Sequence, residues 1–296
     1  MVEPATWDLP HGIRLSGRVT GCVGQPVVMF LHGFPEGSFV WETQMAALAA
    51  HGFHCIAPDL RGFGGSSAPA DVAAYRPRHL VQDMDALLDL VSPQHPIECL
   101  VAHDWGGAIA WNLANQRPHR MRRLAILNAP HPGTFLRDLR ISPAQRTASA
   151  YMNDLVIPDA EARLAEDDFA RLWSFLDTGQ KASWLDSTTK DRYRAVWRQG
   201  LRGGCNLYRA SPLRPARDGD PGADAVSLPT ELLRIEVPTR VLWGMADHAL
   251  LPGLLDGLDS YVPNLQVRRM EGASHWIVHE QEPVVTQWLV EFLQSQ

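Results

Sequence analysis

Residues 101–110 read VAHDWGGAIA. An apolar run ends at His103, a single acid follows, then come Trp105, two glycines and apolar residues at helical spacing. Small residues at Ala102, Gly106 and Gly107 let a chain turn sharply from strand into helix. Such a turn lifts the side chain between them, Asp104, above the sheet edge. Hydrolases built on the GxSxG turn carry Ser there, whereas this chain carries a carboxylate. The decapeptide also fits a plainer reading in which Asp104 only caps the helix, a role Asp fills well.

Short apolar runs recur along the chain at 27–31 (VVMFL), 53–57 (FHCIA), 99–102 (CLVA), 124–127 (LAIL) and 240–243 (RVLW). Their length and β-branched content make them buried strands. A more polar run at 265–270 (LQVRRM) is expected nearer an edge. Between them, residues 41–50, 80–91, 108–116 and 283–293 show helical spacing. This alternation predicts an α/β fold with a mostly parallel central sheet and helices on both faces. Ligands of such sheets sit beyond the carboxyl ends of the strands. From His131 to Pro229 the rhythm stops: helical pieces such as 167–176 and 191–199 lead into a Pro/Gly/Asp loop at 214–229. The expected organisation is therefore a core of residues 1–130 and 230–296 with a helical cap inserted at 131–229.

With 296 residues, 45% of them hydrophobic, the chain can bury a large core without staples. A net charge of −6 offers no basic surface to nucleic acid or anionic lipid. Four cysteines, Cys22, Cys55, Cys99 and Cys205, lie scattered with no CxxC pair, which reads as buried thiols in a reducing compartment. The opening MVEPATWDLP has acids and prolines where a signal peptide has basic and then apolar residues. No apolar stretch approaches the ~20 residues of a membrane span. A cytoplasmic protein with no nucleic-acid or membrane partner is expected; the sequence leaves its oligomeric state open.

Three further segments bear on Asp104. The first of these strands runs into His32-Gly33-Phe34-Pro35-Glu36, a turn whose Phe34 amide can pair with that of Trp105 as a two-donor oxyanion hole. The run at 240–243 leads to Asp247, and that at 265–270 to His275. The chain order is nucleophile, acid, base, each following a strand, as in an α/β-hydrolase triad. Each residue alone has an ordinary structural explanation, but the conjunction does not.

HGFPE, HDWGGAIAW, LNAPHP and ASHWIVHE together resemble the α/β-hydrolase-fold epoxide hydrolases and their dehalogenase relatives, over nearly the whole chain. DLRGFGGSS at 59–67 matches the family's glycine-rich loop after its fourth strand, read here as backbone packing. The resemblance implies hydrolysis of an apolar epoxide by water to a vicinal diol, with no cofactor and no metal. Carboxylates ordinarily titrate near ~3.9, so an Asp nucleophile needs no base to attack a saturated carbon. The resulting ester then falls to water activated by His275, with Asp247 holding the imidazole.

An epoxide yields an alkoxide that needs a proton, and phenols suit that task. In the family two cap tyrosines bind the ring oxygen. Tyr151, seven residues before Pro158, and Tyr208, within Asn206-Leu207-Tyr208-Arg209, match those patterns; Leu207 and the MNDLVIP run depart from the family's aromatic residues. Tyr193 reads as packing.

A haloalkane or haloacid dehalogenase using the same Asp104 is the alternative. Haloalkane dehalogenases share Trp105 but usually place Asn at the Phe34 position, and fluoroacetate dehalogenases have Arg at Trp105. A non-catalytic ligand-binding protein of the same fold is the remaining reading. Residues 64–68 only superficially approach GxSxG, and His279 beside His275 reads as a solvated or capping residue because HWIVHE lacks the HExxH pattern. Trp173, Trp184 and Trp197 read mainly as core, some of them lining the pocket.

Overall fold

A computed structural model describes residues 1–177 and 183–294. Eight strands form one sheet: β1 (Glu3–Asp8), β2 (Arg14–Thr20), β3 (Val27–Leu31), β4 (His54–Pro58), β5 (Cys99–His103), β6 (Leu124–Leu127), β7 (Thr239–Gly244) and β8 (Leu265–Met270). Their order is β1-β2-β4-β3-β5-β6-β7-β8, and from β4 to β8 every pairing is parallel. Every residue of β3, β5 and β6 is buried, as a parallel sheet covered on both faces requires. This is the α/β-hydrolase fold. β8, with alternating exposure, is an edge strand as its polar sequence predicts.

β1 and β2 have no counterpart among the expected strands. They are antiparallel to their neighbours and carry polar residues such as EPATWD. Only one face of this edge ribbon packs, so no continuous apolar run marks it. Expected helices are present at Glu42–Ala50, Pro77–Val91 and Glu282–Gln294. The helix foreseen at 108–116 starts earlier, at Asp104 itself.

Between β6 and β7 the described residues contain no strand. Helices Pro132–Ile141, Pro143–Ala148, Tyr151–Leu155, Ala160–Leu176, Ser187–Trp197 and Arg202–Ala210 form the inserted cap. The helix Ala160–Leu176 is broken at Asp167, Asp168 and Phe169, which take left-handed backbone angles. Among the described residues no helix is long and apolar enough to cross a membrane. All four cysteines are free; Cys55, Cys99 and Cys205 are buried, but Cys22 is exposed, contrary to the expectation of four buried thiols.

Parallel strands bring their carboxyl ends to one edge. β3 delivers His32 to Glu36 there, β5 Asp104, β6 Asn128, β7 Asp247 and β8 His275.

Candidate active site

Asp104 occupies the tip of the turn after β5 with φ +47°. A left-handed residue with a Cβ stores about 1–3 kcal/mol of strain unless its surroundings over-determine it. Here they do: a Cβ at Gly106 would meet the Leu31 carbonyl, one at Gly107 would meet Ala129, and Asp104 itself fills the space beside Gly33. The helix-capping alternative fails on geometry. The N-cap residue is His103 and no side chain caps this helix end. Asp104 Oδ1 instead accepts the Phe34 amide N–H at 2.7 Å.

That amide is aimed by its own peptide plane. His32 Nδ1–H donates to the Gly33 carbonyl at 2.8 Å, while His32 Nε2 accepts the Leu60 N–H at 2.9 Å. Burial holds the pKa of His32 below its ordinary value, so it stays neutral in this tautomer. Trp105 lies in the first turn of the helix, where an amide has no intrahelical acceptor.

Asp104 Oδ2 lies 3.7 Å from His275 Nε2. On the other side of the ring, His275 Nδ1–H donates to Asp247 Oδ2 at 2.7 Å. Asp247 is buried and saturated. Its Oδ1 accepts the Ala249 and Leu250 amides at 2.8 Å each, and its Oδ2 also accepts Asn128 Nδ2–H at 2.7 Å. Burial alone would raise the Asp247 pKa, but the charge and hydrogen bond of His275 outweigh it and lower it. For His275, burial pulls the pKa down; Asp247, then Asp104 and Glu36, more than offset this and lift it to about 9.

Tyr208 is buried on the helix Arg202–Ala210, its ring edge-on to Trp105 at 5.0 Å and to Phe34 at 5.3 Å. Tyr151 lies across from it, ring centroids 6.2 Å apart. Burial, and for each the charge of Asp104, push both phenols well above their ordinary pKa. They therefore remain protonated near neutrality. Asp104, Tyr151, Tyr208, Asp247 and His275 all line one cavity of about 250 Å³, with Phe34, Phe175 and Trp276 among its apolar walls. The five side chains given catalytic roles in the sequence reading thus meet at one site.

Other features differ from expectation. None of Trp173, Trp184 and Trp197 lines this cavity. Trp173 and Trp197 pack on each other at 4.4 Å, and Trp184 stacks on His279 at 4.3 Å. His279 is not a solvated residue: its Nε2 lies 3.2 Å from Glu36 Oε1 and 2.9 Å from the Tyr193 hydroxyl. Ser66, in the superficial GxSxG, is tied up by donating to the Asp59 carbonyl at 2.7 Å.

Two elements escaped the sequence reading. Asn128, at φ +36°, joins the ends of β6 and β7 by accepting the Gly244 N–H at 2.8 Å while its amide orients Asp247. Its signal was a polar residue directly ending the apolar run LAIL. Glu36 is fully buried behind the site. Burial would raise its pKa, but His103 and His279 hold it well below the usual carboxylate range. It meets His103 Nδ1 at 2.9 Å, and His103 Nε2 donates to the His275 carbonyl at 2.9 Å. Tyr193 of the cap donates to Glu36 Oε1 at 3.1 Å, so one buried chain of contacts links the cap to the backbone of His275.

The model of the α/β hydrolase fold family matches residues 26–282. The chain is 33% identical over 289 residues to the AB hydrolase superfamily protein YfhM of Bacillus subtilis, covering 97% of this chain and 96% of the relative. It is 32% identical to an epoxide hydrolase of Caballeronia sordidicola, covering 98% and 96%. Among solved structures, a Bacillus megaterium epoxide hydrolase bound to an inhibitor superposes with a TM-score of 0.88 at 30% identity, covering 98% of this chain and all of that one.

Proposed function

The chain belongs to the α/β-hydrolase fold family, in its epoxide-hydrolase branch, and on that basis we propose that it converts an epoxide and water into a vicinal diol through an ester on Asp104. The observation that carries the reading is the division of labour between the two Asp104 oxygens. Oδ1 is engaged by the Phe34 amide, and Oδ2 is left facing the imidazole and the cavity shared with two phenols, Tyr208 buried and Tyr151 half-buried.

Oδ2 attacks a ring carbon, the C–O bond breaks, and the ring oxygen takes a proton from Tyr208 or Tyr151. Oδ1 becomes the ester carbonyl oxygen, already seated at its amide donor, with the Trp105 amide as the second. Ester formation removes the Asp104 charge, one of the charges that hold the His275 proton. The imidazolium then gives that proton back to the tyrosinate and becomes a base. Water adds to Cγ as its proton passes to Nε2, and the developing oxyanion rests on the two amides. The Cγ–Oδ2 bond breaks, Oδ2 leaves with the diol and takes the proton remaining on the oxygen that water added, and the aspartate and imidazolium are restored. Asp247, oriented by Asn128, stabilises the imidazolium in both steps. Residues 131–229 act as the lid that supplies the tyrosines.

Single turnover in 18O-water tests the route. With enzyme in excess, the first diol carries no label from solvent and the label enters the Asp104 carboxylate; label in the first diol, with none in the protein, overturns it.

Tyr208→Phe separates this reading from halide displacement. A departing alkoxide needs a proton and a halide does not, so the variant loses about 10²–10⁴-fold in epoxide opening. Chloride or fluoride release from organohalides at an undiminished rate, without epoxide turnover in the parent enzyme, identifies a dehalogenase instead.

A further inference from the structure

Adjoining the catalytic cavity is a second one of about 180 Å³, between the helices Tyr151–Leu155 and Ala160–Leu176, lined by Leu155, Ile157 and Leu164 and also by the exposed Asp154, Arg163 and Arg171. The two cavities share Tyr151, Ser174 and Phe175. Ser174 is small and exposed at the rim, and the Tyr151 ring is turned edge-on to Tyr208, 6.2 Å between centroids. The partition is therefore the Phe175 ring, which packs on Tyr151 at 5.7 Å between centroids. Its backbone is pinned from the core side, because Trp276 Nε1–H donates to the Phe175 carbonyl at 3.0 Å immediately after His275.

We propose that Phe175 is a specificity-determining residue that restricts this site to terminal epoxides carrying one substituent. The inference rests on the epoxide-hydrolase reading and adds the substrate class. The catalytic cavity, at about 250 Å³, falls below the ~300–1,000 Å³ typical of pockets for drug-sized ligands. With a ring carbon at Asp104 and the ring oxygen at the tyrosines, a single substituent occupies the space toward Ala148 and Ala249. A substituent on the second ring carbon, trans to the first, projects past Tyr151 and meets the Phe175 ring. A terminal epoxide carries only hydrogens there. Removing the ring opens the second cavity, where the second substituent packs on Leu155, Ile157 and Leu164, with the exposed Asp154, Arg163 and Arg171 lining the remainder.

The test uses the full chain with Phe175→Ala and Phe175→Leu, and two readouts. The first is kcat/KM for styrene oxide and for trans-stilbene oxide. The second is the dissociation constant of the matching diols, 1-phenylethane-1,2-diol and hydrobenzoin, by calorimetry. The parent enzyme prefers styrene oxide by at least ~10²-fold, since a phenyl clash exceeds the ~10–200-fold effect of one methylene. Phe175→Ala raises kcat/KM for trans-stilbene oxide about tenfold or more in absolute value and tightens hydrobenzoin by a similar factor, with Phe175→Leu between. A gain on the larger substrate is a result that a merely damaged protein cannot give. Equal handling of both epoxides by the parent, or a fall on both in Phe175→Ala, overturns the partition. If no epoxide turns over, the diol constants still decide: discrimination that is relieved in Phe175→Ala sustains the partition while the hydrolase reading fails, and indifference to the second phenyl sinks the partition.

Discussion

Asp104→Ala abolishes epoxide turnover, lowering kcat by about 10⁴-fold or more, the scale seen when a covalent nucleophile is removed. Single turnover fails too, because among the described residues no other side chain has an oxygen seated on the Phe34 amide. Product diol still binds, since the apolar walls and both tyrosines remain. Two controls distinguish lost chemistry from lost fold. Alanine keeps a Cβ in the left-handed backbone at φ +47°, whereas glycine adopts it freely, so Asp104→Gly is more stable than Asp104→Ala by about 1 kcal/mol while equally inactive. Thermal melts measure the first difference and steady-state kinetics the second. Multiple turnover by either variant at a rate near the parent's would remove Asp104 from the mechanism.

What the sequence made legible follows from where the physics is local. β3 to β7 are runs of apolar residues because both faces of the sheet are covered, and the loops following β5, β7 and β8 carry Asp104, Asp247 and His275 at predictable places. β1 and β2 escaped because an antiparallel edge buries one face only, and their residues read as loop. The helix-capping alternative for Asp104 was undecidable from ten residues. Its resolution lies in contacts with Phe34, Gly33 and Leu31, all distant in sequence.

The same limit hid Asn128 and Glu36, whose partners Asp247 and His103 lie 119 and 67 residues away. Nothing in LNAPHP or HGFPE states which side chain each polar group will meet. The cap was the hardest part. Its tryptophans read mainly as core, and Trp173 and Trp197 do pack on each other and Trp184 on His279, but none of them lines the cavity, whose wall falls to Phe175 and Trp276. Helical spacing identifies a buried face, but not which of two buried environments it meets.

His275→Gln separates the two chemical steps. Alkylation needs no base, so Oδ2 still opens the epoxide, while the water that must attack Cγ has lost its proton acceptor at Nε2. The ester accumulates to one equivalent per chain, visible in intact mass as the protein plus one substrate, and its breakdown slows by about 10²–10⁴-fold. Glutamine is the substitution of choice because its amide can donate to Asp247; stripping the partner from a buried carboxylate altogether risks about 3–5 kcal/mol of stability.

The parent enzyme carries the same signature in its pH dependence. With a pKa of about 9 in the resting state, His275 is protonated at neutrality, and formation of the ester removes the Asp104 charge that helps hold that proton. The imidazole must deprotonate before it can act, so the fraction of enzyme trapped as ester rises as pH falls. A folded-state pKa raised above the ordinary ~6.5 also contributes stability that is complete below that pH and is lost as pH rises through about 9. His275→Gln lacks this contribution, so its stability no longer declines as pH rises through about 9, and it loses the pH dependence of ester breakdown as well. An adduct that fails to form in this variant, or a parent whose ester fraction ignores pH, would mean that the imidazole acts before the carbon–oxygen bond forms rather than after it.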